Sequence, residues 1–137
     1  MKTKRVHHMG ILVSDVARAM DFYSGVLGLE QIERPDFGFP GAWYQLGDVQ
    51  IHLLGQRPDA GATPAREGLS PLGRHLALEV EDYEATLAAL EARGVEVFGL
   101  GAESGQMFVQ DPDGNQIELI VPGGRLGRRA GAEPTRR

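Results

Sequence analysis

Apolar and polar positions alternate with a period of two along Val6–Val13. Met9, Ile11 and Val13 share one parity, and His8 lies on the other, a pattern that predicts a strand with one buried face. Asp15 then suits a helix N-cap, and Val16, Ala19, Met20, Tyr23 and Leu27 recur at spacings of three and four up to Gly28. Strands are predicted over Leu29–Arg34, Ala42–Leu46 and Val49–Leu54, the last two joined by Gly47-Asp48. After a Pro-, Gly- and Ala-rich stretch from Gly55 to Gly73, the same order returns. A strand is expected over Arg74–Glu81, then a cap at Asp82. A helix striped by Tyr83, Leu87 and Leu90 ends at Gly94, and a short strand follows over Val95–Phe98. A hairpin over Gln106–Val121 closes the set, turned by Asp111-Pro112-Asp113-Gly114-Asn115.

The chain therefore reads as two copies of strand, helix, strand, strand, strand. His8 precedes Asp15 by seven residues, as His75 precedes Asp82. His8 to His52 spans 44 residues, and His75 to Glu118 spans 43. The expected organisation is one domain over 1–122, with module one at 5–54, a linker at 55–73 and module two at 74–122. Residues 123–137 carry five Arg against Glu133 and read as a disordered basic tail.

Composition narrows the classes. At 137 residues the chain can bury a real core. No apolar run is long enough for a transmembrane helix, and no signal peptide is evident. Zero cysteines remove disulfides, thiolate ligands and a Cys nucleophile, so cytoplasmic residence is the default reading. The net charge of −5 includes +4 from the tail, which leaves −9 on the body and speaks against nucleic acid.

Parity decides where the polar positions point. His8, His52, His75 and Glu118 all oppose the apolar parity of their strands, so they face away from the helices. His7 has the other parity and is expected to point toward the helix side or fray into solvent. A lone carboxylate in the middle of a strand is costly unless something pairs with it. Three imidazoles and one carboxylate suit Zn, Ni, Mn, Co or Fe(II), with positions left for water or substrate. If Gly47-Asp48 is a two-residue turn, Trp43 lies opposite His52. If Gln110 pairs with Gln116, Phe108 lies opposite Glu118. Both rings, with Gln45 and Gln50 on the Trp43/His52 face, are candidates to bind a small-molecule substrate. Arg57, Arg66 and Arg74 are cations that an anionic group could meet, although each reads first as solvated surface.

His8-Met-Gly-Ile-Leu-Val-Ser-Asp15, Phe22-Tyr23, Leu27-Gly28-Leu29, His75-Leu-Ala-Leu-Glu-Val-Glu-Asp82 and Asp111-Pro-Asp-Gly-Asn-Gln-Ile-Glu118 carry a resemblance. Over residues 5–122 the chain resembles the vicinal oxygen chelate superfamily, the glyoxalase/bleomycin-resistance/dioxygenase group. The resemblance implies an α+β fold of paired βαβββ modules. Their curled mixed sheet forms a cup around a metal, with the helices on its outer face. It puts His8, His52, His75 and Glu118 at the ligand positions and implies a homodimer. Bacterial glyoxalase I is similar but carries Glu where this chain has His52, a departure that counts against glyoxalase I activity proper.

What the resemblance implies is a metal-dependent, glyoxalase-like lyase or isomerase. It would bind a small substrate through two adjacent oxygens, with Glu118 or His52 as the base. His8, His75 and Glu118 alone match the two-His-one-carboxylate set of extradiol Fe(II) dioxygenases. A non-catalytic, drug-binding resistance protein is a further reading, and the full polar set stands against it.

Overall fold

The structure, a computed structural model, describes residues 1–56 and 68–123. The alternating segments form β1 (His8–Val13), β2 (Glu30–Ile32), β3 (Gly41–Leu46) and β4 (Val49–Gly55) in the first half. β5 (His75–Glu79), β6 (Phe98–Gly99), β7 (Gln106–Gln110) and β8 (Gln116–Ile120) follow in the second. The helices are α1 (Val16–Met20), which continues as a π-helical turn over Asp21–Val26, and α2 (Tyr83–Ala92).

Each half makes a four-stranded mixed sheet, in the order β1-β4-β3-β2 and β5-β8-β7-β6. β1 runs parallel to β4 and β5 to β8, and the other pairs are antiparallel. The expected repeat of strand, helix and three strands is therefore present at the level of topology. Its physical basis is the same in both halves. A short βα unit cannot bury its apolar parity alone, and the following antiparallel strands complete the sheet on which the helix lies.

Two compact units are distinguished by their internal packing, residues 1–56 with Asp111–Asn115, and 68–110 with 116–123. In the first unit α1 packs on β3 and β4. Ile11, Val13, Ala19, Tyr23, Tyr44, Ile51 and Leu53 form its core, and Tyr44 and Leu53 are wholly out of water. Burying a large apolar side chain of this kind contributes about 1.5–3 kcal/mol. In the second unit Met107, Val109, Ile117 and Leu119 are buried, as are Tyr83 and Leu90 of α2.

Both helices start where the capping residues predict. Asp15 accepts from Arg18 N–H at 3.0 Å, and Asp82 from Ala85 N–H at 2.7 Å. Gly28 and Gly94 both have φ of +68°, and the chain leaves each helix there. The first helix differs from a regular amphipathic one. Leu27 N–H bonds to Phe22 C=O at 2.9 Å, five residues back, and this wider turn accompanies burial of both Phe22 and Tyr23.

Several strands are shorter than the pattern predicts. β1 starts at His8, because its pairing with β4 starts at His8 opposite Gln50 and Val6 is exposed. β2 stops at Ile32, ahead of Pro35, which has no N–H to give to the ladder. The short strand expected at Val95–Phe98 forms at Phe98–Gly99 instead. Val95 N–H is taken by Leu90 C=O at 3.1 Å, as part of the closure of α2. The tail from 124 onward and most of the linker, 57–67, lie outside the described residues.

The turn 111–115 belongs to the first unit, although the sequence pattern assigns it to module two. Side-chain chemistry explains this. Buried Asp111 accepts from Tyr23 OH at 2.8 Å and also from the N–H groups of Asp113 and Asn115. Ser14 N–H donates to Asp113 Oδ1, and Asn115 Nδ2 donates to Leu12 C=O.

Candidate functional site

In the first unit the expected pairing holds. Gly47 has φ of +59° in the two-residue turn, so Leu46 pairs with Val49 and Trp43 with His52. On the other side of β4, β1 sets His8 opposite Gln50 and Gly10 opposite His52. The imidazoles of His8 and His52 stack at 4.1 Å, and His52 stacks on Trp43 at 4.1 Å. His52 is the buried member, 8% exposed, and His8 is exposed. His7 is exposed too. Lying outside the strand, it turns its ring back to His8, Nδ1 to Nδ1 at 2.8 Å, instead of facing the helix side.

Gln45 and Gln50 form a directional chain. Gln45 Nε2 donates to Gly47 C=O at 2.7 Å, and Gln50 Nε2 donates to Gln45 Oε1 at 3.1 Å. His52 Nε2–H in turn donates to Gln50 Oε1 at 2.8 Å, which leaves the Nδ1 lone pair on the neutral ring. His52 is held below the usual imidazole range, first by burial and then by the charges of His8, His7 and Arg34.

The second unit repeats this register with other side chains. His75 lies opposite Gln116 and Ala77 opposite Glu118, while Phe108 pairs with Glu118 from the β7 side. His75 Nε2 and Glu118 Oε2 are 2.9 Å apart, with the Glu118 residue 5% exposed. His75 Nδ1–H donates to Gly73 C=O at 2.8 Å, and Gln106 Nε2 donates to Glu118 Oε1 at 2.7 Å. Phe108 presents its ring edge-on to His75 at 5.4 Å.

The donor chemistry fits a divalent ion. A backbone carbonyl on one ring nitrogen is the usual outer support of a metal-binding imidazole, since it fixes the tautomer and aims the other nitrogen. Gly73 does this for His75 and Gln106 steadies the carboxylate. Each unit brings two of the four donors together. Among the described residues no group of three or more His, Asp or Glu side chains is placed to hold a metal ion together.

Residues 5–119 match the model of a protein family described as the Glyoxalase/Bleomycin resistance protein/Dioxygenase superfamily. The chain belongs to this superfamily. Among its curated relatives is Glyoxylase I 4 of Arabidopsis thaliana, 32% identical over 83% of this chain and 68% of the relative. A probable lactoylglutathione lyase of Vibrio parahaemolyticus is 30% identical over 88% of this chain and 92% of the relative. Among solved structures, TnmS3, an antibiotic binding protein from Streptomyces sp. CB03234, is 28% identical with a TM-score of 0.69. That match covers 90% of this chain and 99% of the other. The proteins similar to this chain thus include some named as enzymes and one named as a binding protein.

Sequence reasoning missed three participants. Gln106 and Gly73 act through hydrogen bonds whose partners only the β7–β8 ladder and the 70–75 bend bring near. Arg34 lies beside the Trp43 face, whereas the arginines singled out from the pattern were Arg57, Arg66 and Arg74. Of those, Arg57 and Arg66 lie outside the described residues. The signal for Arg34 was its place between a strand and an aromatic loop, Phe37-Gly38-Phe39.

Proposed function

We propose that the chain is a metal-dependent, glyoxalase-like enzyme of the lyase or isomerase type. His8, His52, His75 and Glu118 are the donors to one divalent ion (Zn, Ni, Mn, Co or Fe(II)). The substrate is a small molecule that offers two adjacent oxygens. The observation that carries this reading is the shared register. His8/Gly10 oppose Gln50/His52 as His75/Ala77 oppose Gln116/Glu118, so two unlike stretches of sequence present donors at equivalent places. The relatives named lactoylglutathione lyase support the reaction class.

When bound, the ion supplies Lewis acidity to the oxygens of the substrate. The chain's own residues do the rest. Gln106 holds Glu118 Oε1, so Oε2, which lies 2.9 Å from His75 Nε2, is the atom that would take or return a proton if the carboxylate leaves the ion. His52, whose pKa is lowered first by burial and then by its charged neighbours, is the second candidate base, at Nδ1, if it detaches from the ion. Trp43, half-buried and stacked on His52, gives that donor pair an aromatic face against which a planar substrate can lie, whereas Phe108, expected from the pattern to line the substrate site, is buried against His75 and fills core. A homodimer is the assembly this reading implies.

The test is elemental analysis of the purified protein beside a His8→Ala/Glu118→Ala variant. About one transition metal per chain, absent from the variant, is the expected result. Nickel or zinc would point to isomerisation, and iron with oxygen uptake on catechols to extradiol cleavage. Metal-free protein even after supplementation would overturn the enzyme. The second reading, whole-molecule binding without chemistry, would then stand; the antibiotic-binding relative and the exposed aromatic ring of Phe37 favour it.

A further inference from the structure

Arg34 follows β2, in the first unit, and its guanidinium is unusually placed. Its Cζ lies 5.0 Å from the Phe37 ring centre and 4.9 Å from that of Phe39. Nη1 donates to Phe39 C=O at 3.1 Å. A side chain at Gly41 would come within 2.7 Å of Nε and 2.8 Å of Cζ, so the start of β3 passes directly against the group. Packed this way, Nε and Nη2 are both out of water and have no hydrogen-bond partner among the described residues.

These two nitrogens are not an arbitrary pair. They form the side-on edge of the guanidinium, whose parallel N–H groups match the two oxygens of a carboxylate. Buried N–H groups without an acceptor are costly, so an unpartnered fork of this kind calls for an acceptor. The carboxylate in the same loop does not serve, because Asp36 Oδ1 is turned to Gly38 N–H at 2.8 Å.

The surroundings say what else the anion carries. The Phe37 ring lies 6.0 Å from Trp43, and Trp43 is stacked on His52. Apolar, planar surface thus runs from the arginine to a candidate donor. Phe37 is 53% exposed, and Gly38 beside it has φ of +74°. The exposed Phe37 ring thus lies next to the fork and is open to a ligand.

We propose that Arg34 is a substrate-specificity residue that binds the carboxylate of a planar, apolar carboxylic acid, with Phe37 and Trp43 against its ring or chain. The inference rests on the proposed function in that it names the substrate class of the same site. Carboxylate capture itself needs only the first unit and no metal.

The experiment uses full-length protein stripped of metal by a chelator, and Trp43, the single tryptophan of the chain, as the fluorescent reporter. Benzoate is titrated beside benzamide, a neutral molecule of nearly the same shape, and beside phenyl phosphate. Saturable change with benzoate, and at least tenfold weaker response to both others, is expected. Arg34→Lys keeps the charge but not the fork, and should weaken benzoate roughly tenfold with an unchanged melting curve. Arg34→Gln should abolish binding. If that variant melts early, the Lys variant alone decides. Equal binding of benzamide, a preference for phenyl phosphate, no saturable response to benzoate, or full affinity in the Lys variant would each overturn the proposal. Loss of the metal site in elemental analysis with benzoate binding intact would overturn the enzyme reading and leave the carboxylate site in place.

Discussion

At the scale of single residues, the most consequential polar contact outside the candidate site is Tyr23 with Asp111. Asp111 is 1% exposed, and its two oxygens accept from Tyr23 OH, two backbone N–H groups and Asn115 Nδ2. A buried carboxylate is tolerated only when satisfied in this way. Tyr23→Phe removes one charge-assisted bond and should cost about 1.5–3 kcal/mol in urea unfolding. The same pair sets a pH limb. Burial, then the charge of Asp111, raises the Tyr23 phenol far above its ordinary value of 10.0. The folded protein therefore keeps a proton that the unfolded chain releases above pH 10, and its stability falls as pH rises past that point. Phe at position 23 should show a shallower alkaline decline. Parallel curves for the two proteins would refute the linkage.

Elements owe their limits to a few side chains. α2 is only ten residues long, and its start depends on Asp82, which accepts from Ala85 N–H. Asp82→Ala should cost about 1 kcal/mol, read as a lowered urea midpoint at unchanged slope. His75 is placed by the strand that precedes this helix, so metal content should survive the change. The π-helical turn after α1 is a contrasting case. Its spacing could not be told from that of an ordinary helix, because Val16, Ala19, Tyr23 and Leu27 satisfy either period within such a short run.

For the whole molecule, metal and assembly are linked on the proposed reading. An ion that binds only folded protein stabilises it by mass action, so a chelator should lower the melting temperature, and addition of the ion back should restore it. His8→Ala/Glu118→Ala should be insensitive to both treatments. If donors from two chains share an ion, mixed dimers of His8→Ala and Glu118→Ala chains regain one intact site, although neither variant holds metal alone. Failure of the mixture to recover metal would place all four donors on one chain. Among the described residues no helix is long and apolar enough to cross a membrane.

Period-two alternation, two Asp caps and a repeat were sufficient to place most of the strands, both helix starts and the parity of His8, His52, His75 and Glu118, while the sheets they build were implied by the family resemblance. Such features are local. They depend on which way successive side chains point and on which residues satisfy a helix end. Even the Trp43–His52 and Phe108–Glu118 pairings followed from turn length alone. Other features needed long-range geometry. The docking of turn 111–115 on Tyr23 joins residues 88 positions apart. The Gln106–Glu118 bond and the Gln45–Gln50–His52 chain require a formed ladder before their side chains meet. Arg34 had no periodic signature at all. Only the return of the chain through Phe37, Phe39 and Gly41 gives its guanidinium a packed setting with one edge unpaired. Sequence thus determines direction and spacing along each strand, and tertiary structure decides which polar atoms are left without a partner, since that depends on every segment packed around them.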